Sequence, residues 1–160
     1  MSPLVGSAVS TAVERLQRAA DAVNDLGTVM IVEDEAIIAM SLEEGLSDEG
    51  FRVVGPFSAC AEALAFLEAE IPQCAILDAQ LSDGTCLELA RELQRREVPF
   101  LIYSGVGGFE ARAPELRGVT WIEKPAPVDV VVEATRRLRR AGATRGGRPC
   151  TESSGWRTRI

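Results

Sequence analysis

Between residues 28 and 140 the chain alternates between strand-length apolar runs and helical spacing, and this alternation limits the fold more than any other feature. The runs are "TVMIVE", "RVVGPF", "CAILDA", "PFLIYS" and "VTWI", each of strand length and largely apolar. Helical spacing returns in "EAIIAMSLEEGLSDEGF", from about Ala59 to Glu70, from about Thr85 to Arg96, and from Val128 to Arg140. The segment after "PFLIYS" is short and ambiguous. Strands that alternate with helices predict an α/β fold, a five-stranded parallel sheet covered on both faces.

Two flanks of different character lie outside this unit. Residues 7 to 26 place Val9, Ala12, Leu16, Ala19, Val23 and Leu26 on one stripe, with Glu14, Arg15, Gln17 and Arg18 on the other side. Residues 1–27 therefore read as an amphipathic helical extension. Its stripe is too short for a self-sufficient coiled coil, which points to packing on its own domain or across a homodimer, with a floppy segment as the alternative. Residues 141–160 mix Gly, Arg, Ser and Thr without a period and read as a basic, disordered tail, far too short for a helix-turn-helix output domain. From residue 136 onward eight arginines face Glu152 alone, so a chain of net charge −7 must have a strongly acidic body. Such a body disfavours direct DNA binding.

Composition removes several kinds of chemistry. Histidine is absent, which excludes Ser-His-Asp and Cys-His catalysis, most zinc sites and a phosphohistidine-carrier role. Cys60, Cys74, Cys86 and Cys150 show no Cys-x-x-Cys spacing, so neither zinc nor a disulfide framework is expected and the thiols read as buried and inert. No apolar run approaches the roughly 18 residues that a membrane span needs, and Arg15 comes late for a signal-peptide head. The chain reads as cytoplasmic, with no membrane partner.

In an open parallel sheet the functional crevice lies at the carboxyl ends of the strands. There the first run ends in Glu33-Asp34, the third in Asp78 and the fourth in Ser104, while the fifth is followed after one residue by Lys124-Pro125. Three carboxylates, a hydroxyl and an ammonium would share one rim. Carboxylates held close raise one another's pKa unless a cation sits among them, and oxygen-only ligands favour a hard ion such as Mg2+. Lys124 is the only lysine among seventeen basic residues. That suggests a site needing a compact point charge rather than a planar fork, with chance in an arginine-biased composition as the alternative. Asp78 as a helix N-cap and Ser104 as a plain turn residue are the corresponding alternatives at those positions.

The set Glu33-Asp34, "ILD" ending in Asp78, "YSG" with Ser104 and "EKP" with Lys124 resembles the receiver domain of two-component response regulators, over residues 28–140 in order and spacing. The resemblance implies a flavodoxin-like, doubly wound sheet of strand order 2-1-3-4-5. It implies that Glu33, Asp34 and Asp78 hold Mg2+ with the Gln80 carbonyl. Asp78 would accept a phosphoryl group from a histidine kinase or phosphotransfer protein, Ser104 would hydrogen-bond one phosphoryl oxygen, and Lys124 would pair with another. Trp121 falls where such domains carry an aromatic that changes rotamer on activation; core packing is its alternative. A domain of this kind is a signalling switch for a downstream protein the sequence does not identify. It is not an enzyme beyond assisting its own phosphorylation and dephosphorylation.

Two positions depart from the usual pattern. Ser82 stands where proline is common and Cys86 where glycine is, so the loop after Asp78 is expected to take another shape. "VPFLIYSGVGG" and "VVGPFSACAEAL" are similar to an alphaproteobacterial group with a Phe-Ala-Thr-Gly stretch, here with Ile102, Tyr103 and Ser104 at the first three places. Gly105, Gly107 and Gly108 suit either a mobile loop or a simple turn. Two other functions compete: a receiver-like interaction module acting without phosphorylation, and a Rossmann-like hydrolase using Asp78. The second lacks both an Asp-x-Asp pair and a Gly-x-Gly-x-x-Gly loop after a strand. The intact acidic pair, acceptor, hydroxyl and lysine favour the phospho-accepting switch.

Overall fold

A computed structural model describes residues 14–15, 26–105 and 113–145. In chain order the elements are β1 (Gly27–Val32), α1 (Ala36–Asp48), β2 (Phe51–Phe57), α2 (Cys60–Ala69), β3 (Cys74–Leu77), β4 (Gln80–Leu81), β5 (Gly84–Thr85), α3 (Leu87–Arg95), β6 (Phe100–Ser104), a 3-10 turn at Pro114–Leu116, β7 (Thr120–Glu123) and α4 (Val128–Arg145). Five strands form one parallel sheet in the order β2-β1-β3-β6-β7. With the β4–β5 hairpin set aside, this is the expected order 2-1-3-4-5.

The central strands carry apolar residues on both faces because both faces are covered. Val29 and Ile31 point to one side, where Leu42 and Leu46 of α1 and Val131 and Val132 of α4 complete a buried cluster. Met30 and Val32 point to the other, toward Ala63 and Leu67 of α2 and Leu89 and Leu93 of α3. Helices α1 and α4 approach closely at Gly45, where a Cβ would lie 2.6 Å from Val128 Cγ1. A larger residue there would push α4 outward, and α4 follows directly on the loop that carries Lys124.

Register places the strand ends. Val32 pairs with Leu77, Leu77 with Ile102, and Ser104 with Glu123, so Glu33, Asp78, Ser104 and Lys124 leave the sheet at one edge. The Asp78 N–H donates to the Val32 carbonyl (2.9 Å) and the Glu33 N–H to the Phe57 carbonyl (2.9 Å). The second of these bonds follows a register shift between Met30 and Val32. There Gly55 takes φ +93°, and a Cβ on it would lie 2.7 Å from the Ile31 carbonyl oxygen; only glycine meets both conditions easily.

The structure differs from the sequence-based expectation in two places. The residues from Gln80 to Thr85 form a hairpin, so α3 starts at Leu87 rather than near Thr85. Helix α4 runs to Arg145 rather than Arg140, taking in the first five residues assigned to the tail. Of the amino-terminal extension only Glu14 and Arg15 are described, both helical and exposed. The rest of that extension, Gly107, Gly108, and residues 146–160 with Cys150 and Trp156 lie outside the described residues. Among the described residues no helix is long and apolar enough to cross a membrane.

The hairpin has a structural role that Ser82 alone does not reveal. The residue preceding α2, Ala59, has no side-chain oxygen for the helix terminus, and Asp83 supplies one from across the loop. Its two oxygens accept the N–H groups of Cys60 (3.0 Å) and Ala61 (3.1 Å), while Ser82 Oγ donates to the Ser58 carbonyl (3.0 Å). Those two backbone bonds hold the Asp83 carboxyl below the usual range. A carboxyl whose folded pKa is depressed contributes stability above its unfolded value, about 3.9, and loses that contribution as pH falls through the folded value. Asp83→Ala is therefore expected to lower the melting temperature by several degrees at pH 7. In parallel melts the deficit shrinks as the pH drops below 4; a pH-independent deficit would mean that the carboxylate is not the cap.

Candidate functional site

The rim of the sheet gathers its charged groups around Lys124. The ammonium lies 2.7 Å from Glu33 Oε2, 2.7 Å from Asp78 Oδ2 and 3.4 Å from Glu35 Oε1. Glu33 and Asp78 are buried, with side chains 2% and 8% exposed, and Lys124 is 10% exposed, whereas Glu35 stands 64% exposed at the mouth. The second oxygen of each buried carboxylate takes a local backbone bond: Glu33 Oε1 accepts the Glu35 N–H and Asp78 Oδ1 the Gln80 N–H, each at 3.1 Å. Both carboxylates are thus aimed by the chain just beyond them.

Burial pushes the Glu33 carboxyl above the usual range, and its bonds to Lys124 and the Glu35 N–H only partly offset that. Burial also works against the ammonium of Lys124. There the hydrogen bonds and charges of Asp78 and Glu33 outweigh it, and the lysine is held above an ordinary amine. Two buried carboxylates and one exposed one against a single cation leave the cluster net negative. The nearby acids therefore favour a further cation.

Of the residues expected here, the structure brings together Glu33, Asp78 and Lys124. Carboxylate oxygens of Glu33, Glu35 and Asp78 all lie within 4.8 Å of one another, as a metal site requires. Asp34 does not join that trio; it occupies an exposed bend between β1 and α1. Gln80 lies two residues beyond Asp78 as the first residue of β4. Ser104 is fully buried at the end of β6, and its carbonyl accepts the Lys124 N–H at 3.1 Å. Trp121 is half-buried against the core beneath α2 and α3 and pairs with Ile102 across the sheet. Two residues join the site without having been singled out. Glu35 was signalled by the third acid of "EDE", and Tyr103 by being the chain's only tyrosine.

The three described cysteines are free and buried. Burial raises Cys60 to about 11 and Cys74 and Cys86 to about 12, so none is a ready nucleophile at neutral pH.

Residues 29–136 match the family profile described as the response regulator receiver domain. The transcriptional regulatory protein PdtaR of Mycobacterium tuberculosis is 28% identical over 109 residues, 66% of this chain and 53% of that protein. The acid tolerance regulatory protein ActR of Rhizobium meliloti is 26% identical over 119 residues, 72% of this chain and 61% of that one. The matched stretch thus spans little more than half the length of these relatives. Among solved structures, a CheY-like receiver domain protein from Methanospirillum hungatei superposes with a TM-score of 0.67 at 24% identity, over 74% of this chain and 98% of that one. The response regulatory domain of mrkE from Klebsiella pneumoniae gives 0.65 at 21% identity, over 73% and 98%. Both likenesses bear on the fold.

Proposed function

The chain belongs to the response regulator receiver family, and from that premise we propose that it is a phospho-accepting switch with Asp78 as the acceptor. The observation that carries the reading is the single ammonium, 2.7 Å from both Asp78 and Glu33 at the end of a parallel sheet. A phosphoryl donor, a histidine kinase or phosphotransfer protein, presents phosphorus to the rim. An Asp78 oxygen attacks in line, the phosphorus–nitrogen bond to the donor imidazole breaks, and an acyl phosphate remains on Asp78. The Gln80 N–H orients the carboxylate from one side. Lys124 moves from shared contact with two carboxylates to a phosphoryl oxygen, and the Ser104 hydroxyl takes another. Because Lys124 and Ser104 are joined through the backbone bond between β6 and the loop after β7, a shift of either reaches Trp121 three residues before Lys124. The surface altered in this way would be read by a downstream protein.

The oxygen-only character and close spacing of the carboxylates fit Mg2+. When bound, Mg2+ supplies charge that neutralises the phosphoryl oxygens. Glu33, Asp34, Asp78 and the Gln80 carbonyl are the residues proposed to hold it, with Glu35 facing the mouth. Titrating the metal calorimetrically separates this set from the trio grouped in the structure. Asp34→Ala is expected to weaken Mg2+ by about ten-fold or more, by analogy with losses at ligating shells, while Glu35→Ala changes the affinity little. The reverse order would move the metal onto Glu35, and absence of any Mg2+ binding in the unsubstituted protein would remove the metal from the account.

A further inference from the structure

We propose that Tyr103 is a positioning residue that sets where the Lys124 ammonium stands, holding the ammonium by its ring and the following loop by its hydroxyl. The inference rests on the reading of Asp78 as acceptor and goes beyond it. Tyr103 lies on β6 immediately before Ser104 and is 5% exposed. Its ring centroid is 5.5 Å from Lys124 Nζ, within the range in which a ring attracts a cation. Its hydroxyl donates to the Ala126 carbonyl at 3.1 Å and lies 3.4 Å from the Ala126 nitrogen, whose N–H it accepts.

Strand β6 therefore holds the lysine at three points. The Ser104 carbonyl fixes its main chain, the Tyr103 hydroxyl fixes the loop two residues on, and the Tyr103 ring lies beside its ammonium. The ring face attracts the charge without engaging the N–H groups of Lys124 in conventional hydrogen bonds, and these go to Glu33, Asp78 and Glu35. A lysine side chain has many rotamers, and an ammonium that must be ready at the phosphoryl oxygen gains from having them narrowed beforehand. Tyr103 also packs in one cluster with Ile122, Ala126 and Val128, so its ring lies in the same packed unit as the loop after Lys124.

Tyr103→Phe keeps the ring and removes both hydroxyl contacts. Its modification rate with a small acyl phosphate at saturating Mg2+ is expected to fall about three- to ten-fold, the range one net hydrogen bond commands, with Mg2+ affinity unchanged. In a Lys124→Met background the same substitution should have no further effect on rate, because Tyr103 acts through the ammonium. Protein labelled with 13C only at tyrosine gives resonances from this one ring, and they should shift in Lys124→Met with no phosphoryl group present. A Tyr103→Phe protein modified as fast as the unsubstituted one, effects that simply add in the double variant, or ring resonances indifferent to Lys124→Met would each overturn the proposal. If the unsubstituted protein takes no phosphoryl group, the acceptor reading fails, and the ring resonances alone then decide whether Tyr103 positions Lys124.

Discussion

Lys124→Ala is expected to destabilise the metal-free protein by about 2–3 kcal/mol and to slow modification of Asp78 about a hundred-fold. The first figure follows from stranding two carboxylates that are 2% and 8% exposed; breaking a buried ion pair costs about 3–5 kcal/mol, lessened here by entering water and by Glu33 taking up a proton. The second is the lower range for removing one donor that faces charge developing in a transition state. The loss in stability has a signed pH dependence. Glu33 is already raised by burial, and without the ammonium it rises further. A carboxyl whose folded pKa lies above its unfolded value, about 4.3, costs stability where it is ionised and regains it as pH falls through the folded pKa. Denaturant melts of Lys124→Ala should therefore approach the unsubstituted protein as pH drops from 7 toward 5, and at pH 7 Mg2+ should restore much of the difference. A variant of full stability and full rate would show that the lysine is an accident of an arginine-rich composition.

Lys124→Arg separates charge from shape. A guanidinium keeps the positive charge, so Mg2+ binding should persist, but the planar fork does not fit between two carboxylates 2.7 Å from one ammonium nitrogen. The expected result is a protein that binds metal yet loses the phosphorylation-linked change in Trp121 emission, read in a background lacking Trp156. A full response from Lys124→Arg would contradict the geometric role of the ammonium.

Much of the sheet could be read from the chain because its central strands are covered on both faces. Val29 to Val32, Cys74 to Leu77 and Leu101 to Ile102 are buried without interruption, which leaves a continuous apolar signature. The register that aligns Val32 with Leu77 then brings Glu33 beside Asp78, as their common place at strand ends implied. The hairpin at Gln80–Thr85 was hidden because strands of two residues have no period to detect. Helix α4 outran its expected end, and in the added stretch Gly142 sits against Pro99, where a Cβ would lie 3.0 Å from the Pro99 ring. A glycine that looks like the start of a tail is there an accommodation to packing. Glu35 and Tyr103 carried only a compositional signal, the third acid of a run and the chain's only tyrosine. Alternation along a strand shows which face a residue takes, but not that a ring on the α1 side will come within 5.5 Å of a lysine carried by the loop after the neighbouring strand.

Asp78→Asn should abolish phosphoryl transfer altogether, since the amide preserves shape and the Gln80 contact but removes the anionic nucleophile, and Glu33, although fixed by a backbone N–H in the same way, is the more deeply buried of the two (2% against 8% exposed). Glu33 is tied back toward Glu35, and Glu35 itself stands exposed at the mouth. The direct measurement is the intact mass of the protein after incubation with a small acyl phosphate and Mg2+, alongside Asp78→Asn and a chelator control. The account predicts one added phosphoryl group on the unsubstituted protein, mapped to Asp78, and none in either control. An unmodified wild-type chain, or a phosphoryl group that survives in Asp78→Asn, would contradict it.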